Sequence, residues 1–575
     1  FLPLFTLEGI EGKMFSPMAF TITFGLIGSL IFSFTLIPFL ASLFFRGKIS
    51  NKDNFLVKGI KSSYKAILTK IIAKPLMVIL PSVIALGISL LLIPHLGTEF
   101  IPTLEEGAIS VQVIAAPSTS LEEMTRILEI QQEKMAKHQE VTYCVTLIGR
   151  PEAGSHPHPV NTAHIQLGLI PFKEWDSGRT KQDLINEIRV ELEAYPGIQI
   201  AVSQPIQNMF DELLSGVKAE LAIKPSGEAL EVLRTKGDVI KNLLGNVEGI
   251  ADLSLEQSFG QPQVQIDVDN EIAARYGLGV DDIMETIEIG IGGEVIGQVY
   301  QQTRRFGILV RYDDRFRDDV DAIGNIRIHT SSGSFVPLST VAKISEVLGP
   351  IQINREKNQR RIVVQANVEG RDLGSVVNEM QAVLKENLEL PPGYFIEYGG
   401  QFENQRRAMA RLGIIVPLTM LIIFILLFSA FNNMRHAILI YLNIPFALIG
   451  GVLALYLTGQ YLSVPASIGF IALFGNAVQN GIVMVSYFND LRKKGLPLNE
   501  VILKGAVLRV RPVSMTALTT ILGLVPLLIA TGIGSEIQRP LAIVVVGGLL
   551  TSTTLTLYLL PSLYGIIERK WGKEN

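Results

Sequence analysis

LGIIVPLTMLIIFILLFSAF, residues 412–431, runs for twenty positions without an Asp, Glu, Lys, Arg or His. A helix needs roughly 20 apolar residues to cross about 30 Å of hydrocarbon. The block therefore reads as a membrane span and not as the core helix of a soluble domain. Six further blocks meet the same requirement: 18–45, 75–96, 437–457, 465–487, 513–530 and 540–567. Some are long enough to demand tilt or to continue as helix beyond the lipid. Pro38, Pro417, Pro445 and Pro526 lie inside them, which bundled membrane helices tolerate because neighbours re-satisfy the freed backbone groups.

Composition agrees. Of the 575 residues, 48% are hydrophobic and 18% charged, against about 25% charged in soluble domains. Charge is nearly absent from 15–45, 75–93 and most of 412–567, and dense between 99 and 411. That alternation describes spans bracketing a water-facing insert. A net charge of −4 without a basic, aromatic-interleaved stripe argues against nucleic-acid binding. Cys144 is the only cysteine, so neither a disulfide framework nor a Cys-based zinc site forms within one chain. No P-loop, dinucleotide fingerprint or nucleophile triad is present, so the reading is not an enzyme and not an ATP-driven transporter. FLPLFTL (1–7) reads as the last turns of a span, with no signal-peptide features after it. The chain is expected to be the downstream part of something longer.

Basic loops set the orientation. The link 46–74 holds Arg46 and seven lysines against Asp53 alone, and the connection after the fifth span holds Arg492, Lys493, Lys494, Lys504, Arg509 and Arg511. Counting spans puts both on one side with Arg435 and the tail 568–575, and puts 97–411 opposite. The basic side is expected to be cytoplasmic. Link 46–74 also has helical periodicity, with Phe55, Ile60, Ile67 and Ile71 among lysines. It is expected to be an amphipathic helix on the membrane lipid surface, or a solvated connector helix.

Within the insert, strand 109–115, helix 121–137, strand 141–148, strand 163–170, helix 181–193 and strand 198–202 spell β-α-β twice, the ferredoxin-like order. A second copy starts at strand 219–223, helix 230–244 and strand 251–256. It resumes at strand 361–368, helix 373–386 and strand 394–398. The strand-rich, Gly-rich region 263–348 looks inserted into it. Tyr195-Pro196-Gly197 and Pro391-Pro392-Gly393 mark matching helix-to-strand corners.

Seven motifs then carry a resemblance: GTEFIPTLEEG (97–107), QPIQNMFDELLSGVKAEL (204–221), RYGL (275–278), GGQFENQRRA (399–408), GFIALFGNAVQNGIVMVSY (469–487), GAVLRVRPVSMTALTTILGLVP (505–526) and GSEIQRPLA (534–542). The chain resembles the C-terminal half of a resistance-nodulation-division (RND) efflux pump of the heavy-metal branch (CusA/CzcA-like). The resemblance implies a membrane α-helical bundle with about seven complete spans. It also implies an α+β periplasmic domain of ferredoxin-like β-α-β pore subdomains and a docking subdomain.

In family terms, residues 1–45 are the end of the fifth span, a short periplasmic link and the sixth span. Residues 46–74 are the cytoplasmic amphipathic helix, and 75–96 the seventh span. Pore subdomain 1 is 97–208, and pore subdomain 2 is 209–256 with 349–411. The docking subdomain is 257–348, spans eight to twelve are 412–567, and 568–575 is the cytoplasmic tail. The implied protein is a homotrimer in the bacterial inner membrane. It is driven by the proton gradient, holds no permanent cofactor, and exports a metal cation through a periplasmic membrane-fusion adaptor and an outer-membrane channel. A missing N-terminal half is also implied as a partner. Two other readings stay open: a drug or organic-compound exporter of the same superfamily, and a non-transporting piece of a split or truncated gene.

No span carries an Asp, Glu, His, Lys or Arg in its central part, although proton coupling needs a titratable group in the bundle. The relay acids are expected in the missing half, and the chain alone is not expected to pump. Asn476, Gln479 and Asn480 in one span and Thr516, Thr519 and Thr520 in the next support such a relay or serve as interhelical hydrogen-bond glue. For the cargo, soft thioethers select Cu(I), whereas imidazole and carboxylate suit Zn, Co or Ni. Where copper and silver exporters of the family line the cleft with methionine, this chain has Ala116, Val160 and Glu212. That departure points to a divalent ion such as Zn, Co, Cd or Ni. Candidate ligands are His156, His158, His164, Asp211 and Glu212, with a solvated Pro-rich loop as the alternative for the histidines. Glu105 and Glu106 read mainly as a solvated turn before a strand.

Overall fold

The computed structural model describes residues 5, 8–44, 54–149, 159–175, 178–215, 217, 219–530, 532 and 534–571. Helices α1 (Gly9–Phe34) and α2 (Leu36–Phe44) form the first apolar stretch and meet at Thr35. The basic link yields α3 (Phe55–Ala73), opened by Asn54, whose side chain accepts from the Phe55 N–H. Its Tyr64 and Leu68 are buried in the bundle core and Ile71 is buried too, while Phe55, Ile60 and Ile67 stay exposed. Then follows α4 (Leu76–Leu92).

The insert begins with β1 (Ala108–Ala115), α5 (Leu121–Met135), β2 (Val141–Ile148), β3 (Thr162–Leu169), α6 (Lys181–Glu193) and β4 (Ile198–Ser203). The sheet order is β2-β3-β1-β4, all antiparallel neighbours. Alternation decides which face is buried: Ile109, Val111, Val113 and Ala115 pack against Met124, Leu128, Leu184 and Ile188 of the two helices. Ser120 caps α5, and Thr180 with Asp183 forms a capping box on α6. After α7 (Pro205–Ser215), the second copy supplies β5 (Leu221–Gly227), α8 (Leu230–Leu244) and β6 (Ile250–Leu255).

An intervening region follows: β7 (Phe259–Val268), α9 (Asn270–Arg275), α10 (Val280–Ile287), β8 (Glu294–Gln301) and β9 (Arg304–Val310). It continues with α11 (Val320–Gly324), β10 (Arg327–His329), β11 (Phe335–Pro337), α12 (Leu338–Val341) and β12 (Ala342–Pro350). Strands β8 and β9 form a hairpin with exposed Ile296, Val299, Tyr300, Phe306 and Leu309.

The second copy resumes with β13 (Asn354–Glu356), β14 (Gln359–Arg361), β15 (Val364–Val368), α13 (Leu373–Asn387) and β16 (Phe395–Gly400). Strand β5 pairs with both β15 and β16, and β15 with β6. The order β16-β5-β15-β6 repeats that of the first unit. Gly197 and Gly393 sit at matching corners with φ +83 and +86, a region open to glycine at no steric cost. Arg189 of α6 joins the two copies, 2.7 Å from Glu369 and 3.3 Å from the buried Asp252.

The chain re-enters the apolar region through α14 (Gln401–Phe431), α15 (Met434–Tyr441), α16 (Asn443–Thr458), α17 (Val464–Lys493), α18 (Leu498–Ile529) and α19 (Ser535–Trp571). Among the described residues, seven helices are long and apolar enough to cross a membrane. The expected fold class, a helical bundle plus an α+β insert of doubled β-α-β units, is borne out. Burial divides the bundle. Met434–Thr458, Val464–Lys493 and Ser535–Lys570 are 61–67% buried over their most apolar window, and the other four spans only 6–11%. The inner three approach through small residues. A Cβ on Gly450 would stand 2.7 Å from the Gly547 carbonyl carbon, and one on Gly469 would stand 2.9 Å from the Leu541 carbonyl oxygen.

Candidate functional site

Helix α17 carries the amide cluster, and the structure separates its members. Gln479 is exposed, Asn476 half-buried and Asn480 4% exposed. Gly475, Gln479 and Ser486 fall four and seven residues apart and form an open stripe along the helix. Asn480 instead turns into the bundle, beside the close-packed Ala477 and Met484. On α18, Thr516 and Thr519 are exposed and Thr520 half-buried. Their hydroxyls donate backwards along the helix, to Pro512 O (3.1 Å), Met515 O (2.8 Å) and Thr516 O (3.0 Å). Each retains acceptor capacity toward the open side.

Sequence reading missed two polar contacts in the bundle. Asn443 of α16 donates to Ala477 O of α17 (3.1 Å) and to Thr556 Oγ1 of α19 (2.7 Å), locking the three inner helices together. Its signal was its position as the lone amide in block 437–457. At the basic end, His436 lies 3.1 Å from Glu568 and 3.2 Å from Asn489, which also accepts from Tyr564. No local pattern announces that network.

In the insert, the face of the first sheet opposite its helices carries Ser110, Gln112, His164 and Gln166. Gln112 is in register with His164, and Ser110 with Gln166. Helix α7 lies against this face, where Asn208 bonds Ser110 (3.1 Å) and Ser203. Glu212 follows Asn208 by four residues and so shares its side of α7; it is half-buried, as is His164. The structure thus brings His164 and Glu212 toward one sheet face. His156 and His158 lie outside the described residues, as does the side chain of Asp211. Among the described residues no three of His, Cys, Asp and Glu are grouped to hold a metal ion.

Glu105 and Glu106 have structural work. Glu106 accepts from the Ile206 and Gln207 N–H groups (2.7 and 2.9 Å) at the start of α7, where the helix dipole favours an anion. Glu105 pairs with Lys181 at 2.6 Å, and Lys181 also donates to Gln204 (2.7 Å). Both carboxylates are therefore engaged within the fold, where a freely solvated turn was expected.

Residues 1–568 match the AcrB/AcrD/AcrF family. The cation efflux system protein CzcA of Alcaligenes sp. (strain CT14) is 40% identical over 577 residues, covering 99% of this chain and 54% of that protein. The cobalt-zinc-cadmium resistance protein CzcA of Cupriavidus metallidurans gives the same identity and coverage. The cation efflux system protein CusA of Escherichia coli (strain K12) is 32% identical over 99% of this chain and 55% of its own length. A crystal structure of a heavy metal efflux pump superposes with a TM-score of 0.86 at 38% identity, covering 99% of this chain and 57% of that one. The chain spans about half the length of the relatives it matches. It belongs to the AcrB/AcrD/AcrF family of RND transporters, in the heavy-metal efflux branch typified by CzcA and CusA.

Proposed function

We propose that this chain is the C-terminal half of a proton-driven pump that exports divalent heavy-metal cations across the bacterial envelope. In this reading residues 97–411 lie in the periplasm and the basic loops in the cytoplasm. Units 97–208 and 209–256 with 349–411 serve as pore subdomains, and 257–348 as the docking subdomain. The pump is a homotrimer, and the exposed β8–β9 hairpin is its contact between protomers. A periplasmic adaptor and an outer-membrane channel complete the route.

The observation that carries the cargo class is the polar face of the first sheet, opposite α5 and α6 and partly covered by α7. It offers imidazole from His164 and amides from Gln112 and Gln166, with the Glu212 carboxylate on the adjoining helix. Borderline and hard donors of this kind suit Zn, Co, Cd or Ni more than Cu(I). The names of the relatives agree, one of them a cobalt-zinc-cadmium resistance protein. The open polar stripe Gly475–Gln479–Ser486, with Thr516 and Thr519 on the next helix, supports the relay role. Among the described residues, four of the seven candidate spans are barely covered, in keeping with a second half of the bundle that packs there and supplies the acids.

The test is metal tolerance of a sensitive host carrying the complete pump. Zinc or cobalt tolerance should rise, and His164→Ala with Glu212→Gln should lower it at unchanged protein level. Tolerance to silver alone, or indifference to the double substitution, defeats the divalent-cation reading. Gln479→Leu should weaken proton-driven export; unchanged export would remove the open stripe from the relay.

A further inference from the structure

The bundle and the second α+β unit are tied to the same three residues. After α4 the chain passes Gly97, at φ +66, where a Cβ would stand 2.8 Å from the Tyr461 ring and 2.9 Å from Asp372. On the bundle side, Leu462 N donates to Gly97 O (3.1 Å) and Glu99 N to Leu462 O (3.4 Å), in the link between α16 and α17. On the other side, Asp372 accepts from the Thr98 N–H and the Ser375 N–H, both at 3.0 Å. The second bond caps α13. Segment 97–99 is thus a joint through which motion of either body reaches the other.

Glu99 sits in this joint beside a cavity of about 260 Å³ lined also by Thr103, Gln460, Tyr461, Glu536 and Arg539. Thr103 and Glu536 line in addition a second, larger cavity of about 1060 Å³, which reaches Glu105 and Lys181 of the first unit. Glu99 therefore borders a cavity large enough to hold water. No hydrogen bond or ion pair to that carboxyl comes from the described residues. Tyr461, Glu536 and Arg539 are the titratable or charged groups lining the cavity beside it, and Asp372 and Tyr461 both approach Gly97 two residues away.

The two acids of the joint are driven apart. Burial alone pushes Glu99 up to about 7. Burial also pushes Asp372 upward, but the Thr98 and Ser375 donors outweigh it and hold that carboxylate below its usual range. Tyr461 is raised by burial and then by the charges of Asp372 and Glu99. One acid is a fixed anion serving as a cap; the other is poised to exchange a proton near neutrality.

We propose that Glu99 is a proton-exchanging positioning residue that couples protonation at the insert-facing end of the bundle to the placement of the second α+β unit. The step is the uptake of one proton from cavity water by the carboxylate, giving the neutral acid, and its later release. The neutral form removes a buried charge and lets the joint close on the cavity. The anion keeps water in it and draws Arg539 across. This rests on the proton-driven, periplasmic reading above.

The test uses the complete pump in proteoliposomes, with pH varied on the insert side from about 6 to 8, a range over which a group centred near 7 passes from about 90% to about 10% protonated. Wild-type export should change several-fold across that range. Glu99→Gln should flatten the profile with trimer and thermal midpoint retained, and Glu99→Asp should keep a shifted dependence. A Glu99→Gln profile that follows the wild type overturns the coupling. Infrared difference spectra across the same range give an independent check. They should contain a protonated carboxyl band that Glu99→Asp displaces, and a spectrum without it overturns the proposal whether or not Glu99→Gln folds. Wild-type export indifferent to pH would instead defeat the proton-driven reading, and the infrared titration would still judge Glu99.

Discussion

Substituting Gly450 by alanine tests whether the inner bundle is held by backbone contact. Helices α16 and α19 pass so closely that a methyl at position 450 meets the Gly547 carbonyl carbon at 2.7 Å, and one at 547 meets Gly450 O at 2.6 Å. Non-bonded carbons settle at roughly 3.5–4.0 Å, so the helices must part by about 1 Å. Overpacking of this kind costs about 1–3 kcal/mol. The upper end applies because the obstruction is backbone, not a side chain that can rotate. Separation also stretches the 2.7 Å Asn443–Thr556 bond between the same helices, worth about 0.6 kcal/mol in membrane proteins. Against this, replacing glycine by alanine within a helix gains about 1 kcal/mol. The net is a destabilisation of about 2.6 kcal/mol, on the order of 80-fold in the folded-to-unfolded ratio. Unfolding in mixed micelles, followed by circular dichroism against SDS fraction, reads it. Gly87→Ala on α4 is the control, because a Cβ there meets nothing within 4 Å. If Gly450→Ala tolerates as much SDS as Gly87→Ala, the close-contact account is wrong.

Three further outcomes are expected. Arg189→Met strands Asp252, whose side chain is 3% exposed, although the Val202 N–H and Asn367 still donate to it. The loss should be about 3 kcal/mol, seen as an earlier melt of the insert, and Asp252→Asn in the same protein should recover part of it. Val299 and Phe306 are cross-strand partners on the exposed hairpin. Changing both to Asp should leave the protomer folded but lower the trimer fraction in native mass spectrometry; intact trimers would remove the hairpin from the interface. Glu99 gives a pH slope with a definite sign. The folded state holds its proton up to about pH 7, and the unfolded chain only to about 4.3. Its contribution, on the order of 4 kcal/mol, is therefore fully present below about pH 4.3 and gone above about 7. Glu99→Gln should abolish that part of the slope in denaturation measured across this window.

Much of the architecture was legible because its signals are local. The alternation Ile109, Val111, Val113, Ala115 marks a strand with one buried face, and the observed β1 buries those residues. Helices 181–193 and 230–244 run between the residues expected. Spans were harder to bound. Residues 498–529 form one helix although the apolar block starts at 513, because Lys504, Arg509 and Arg511 do not stop a helix that leaves the lipid. The Arg509 guanidinium lies 4.3 Å from the centre of the Tyr487 ring, a favourable place for a cation. The break at Thr35 likewise lies inside an unbroken apolar run and left no mark in it.

Sequence alone determined that the chain holds about seven stretches long and apolar enough to cross a membrane, together with a doubled β-α-β insert whose second copy is interrupted. Hydrophobic length and periodicity are properties of neighbouring residues, so they survive in a linear reading. Tertiary structure alone decided which polar groups are open and which are engaged. Gln479 and Asn480 are adjacent and chemically alike, yet one is exposed and the other buried. Glu106 is committed to a helix start a hundred positions downstream. Glu99 becomes a near-neutral acid through the link between α16 and α17, more than 350 positions away. Burial and hydrogen bonding are set by the segments that pack against a residue, and no window of sequence contains them.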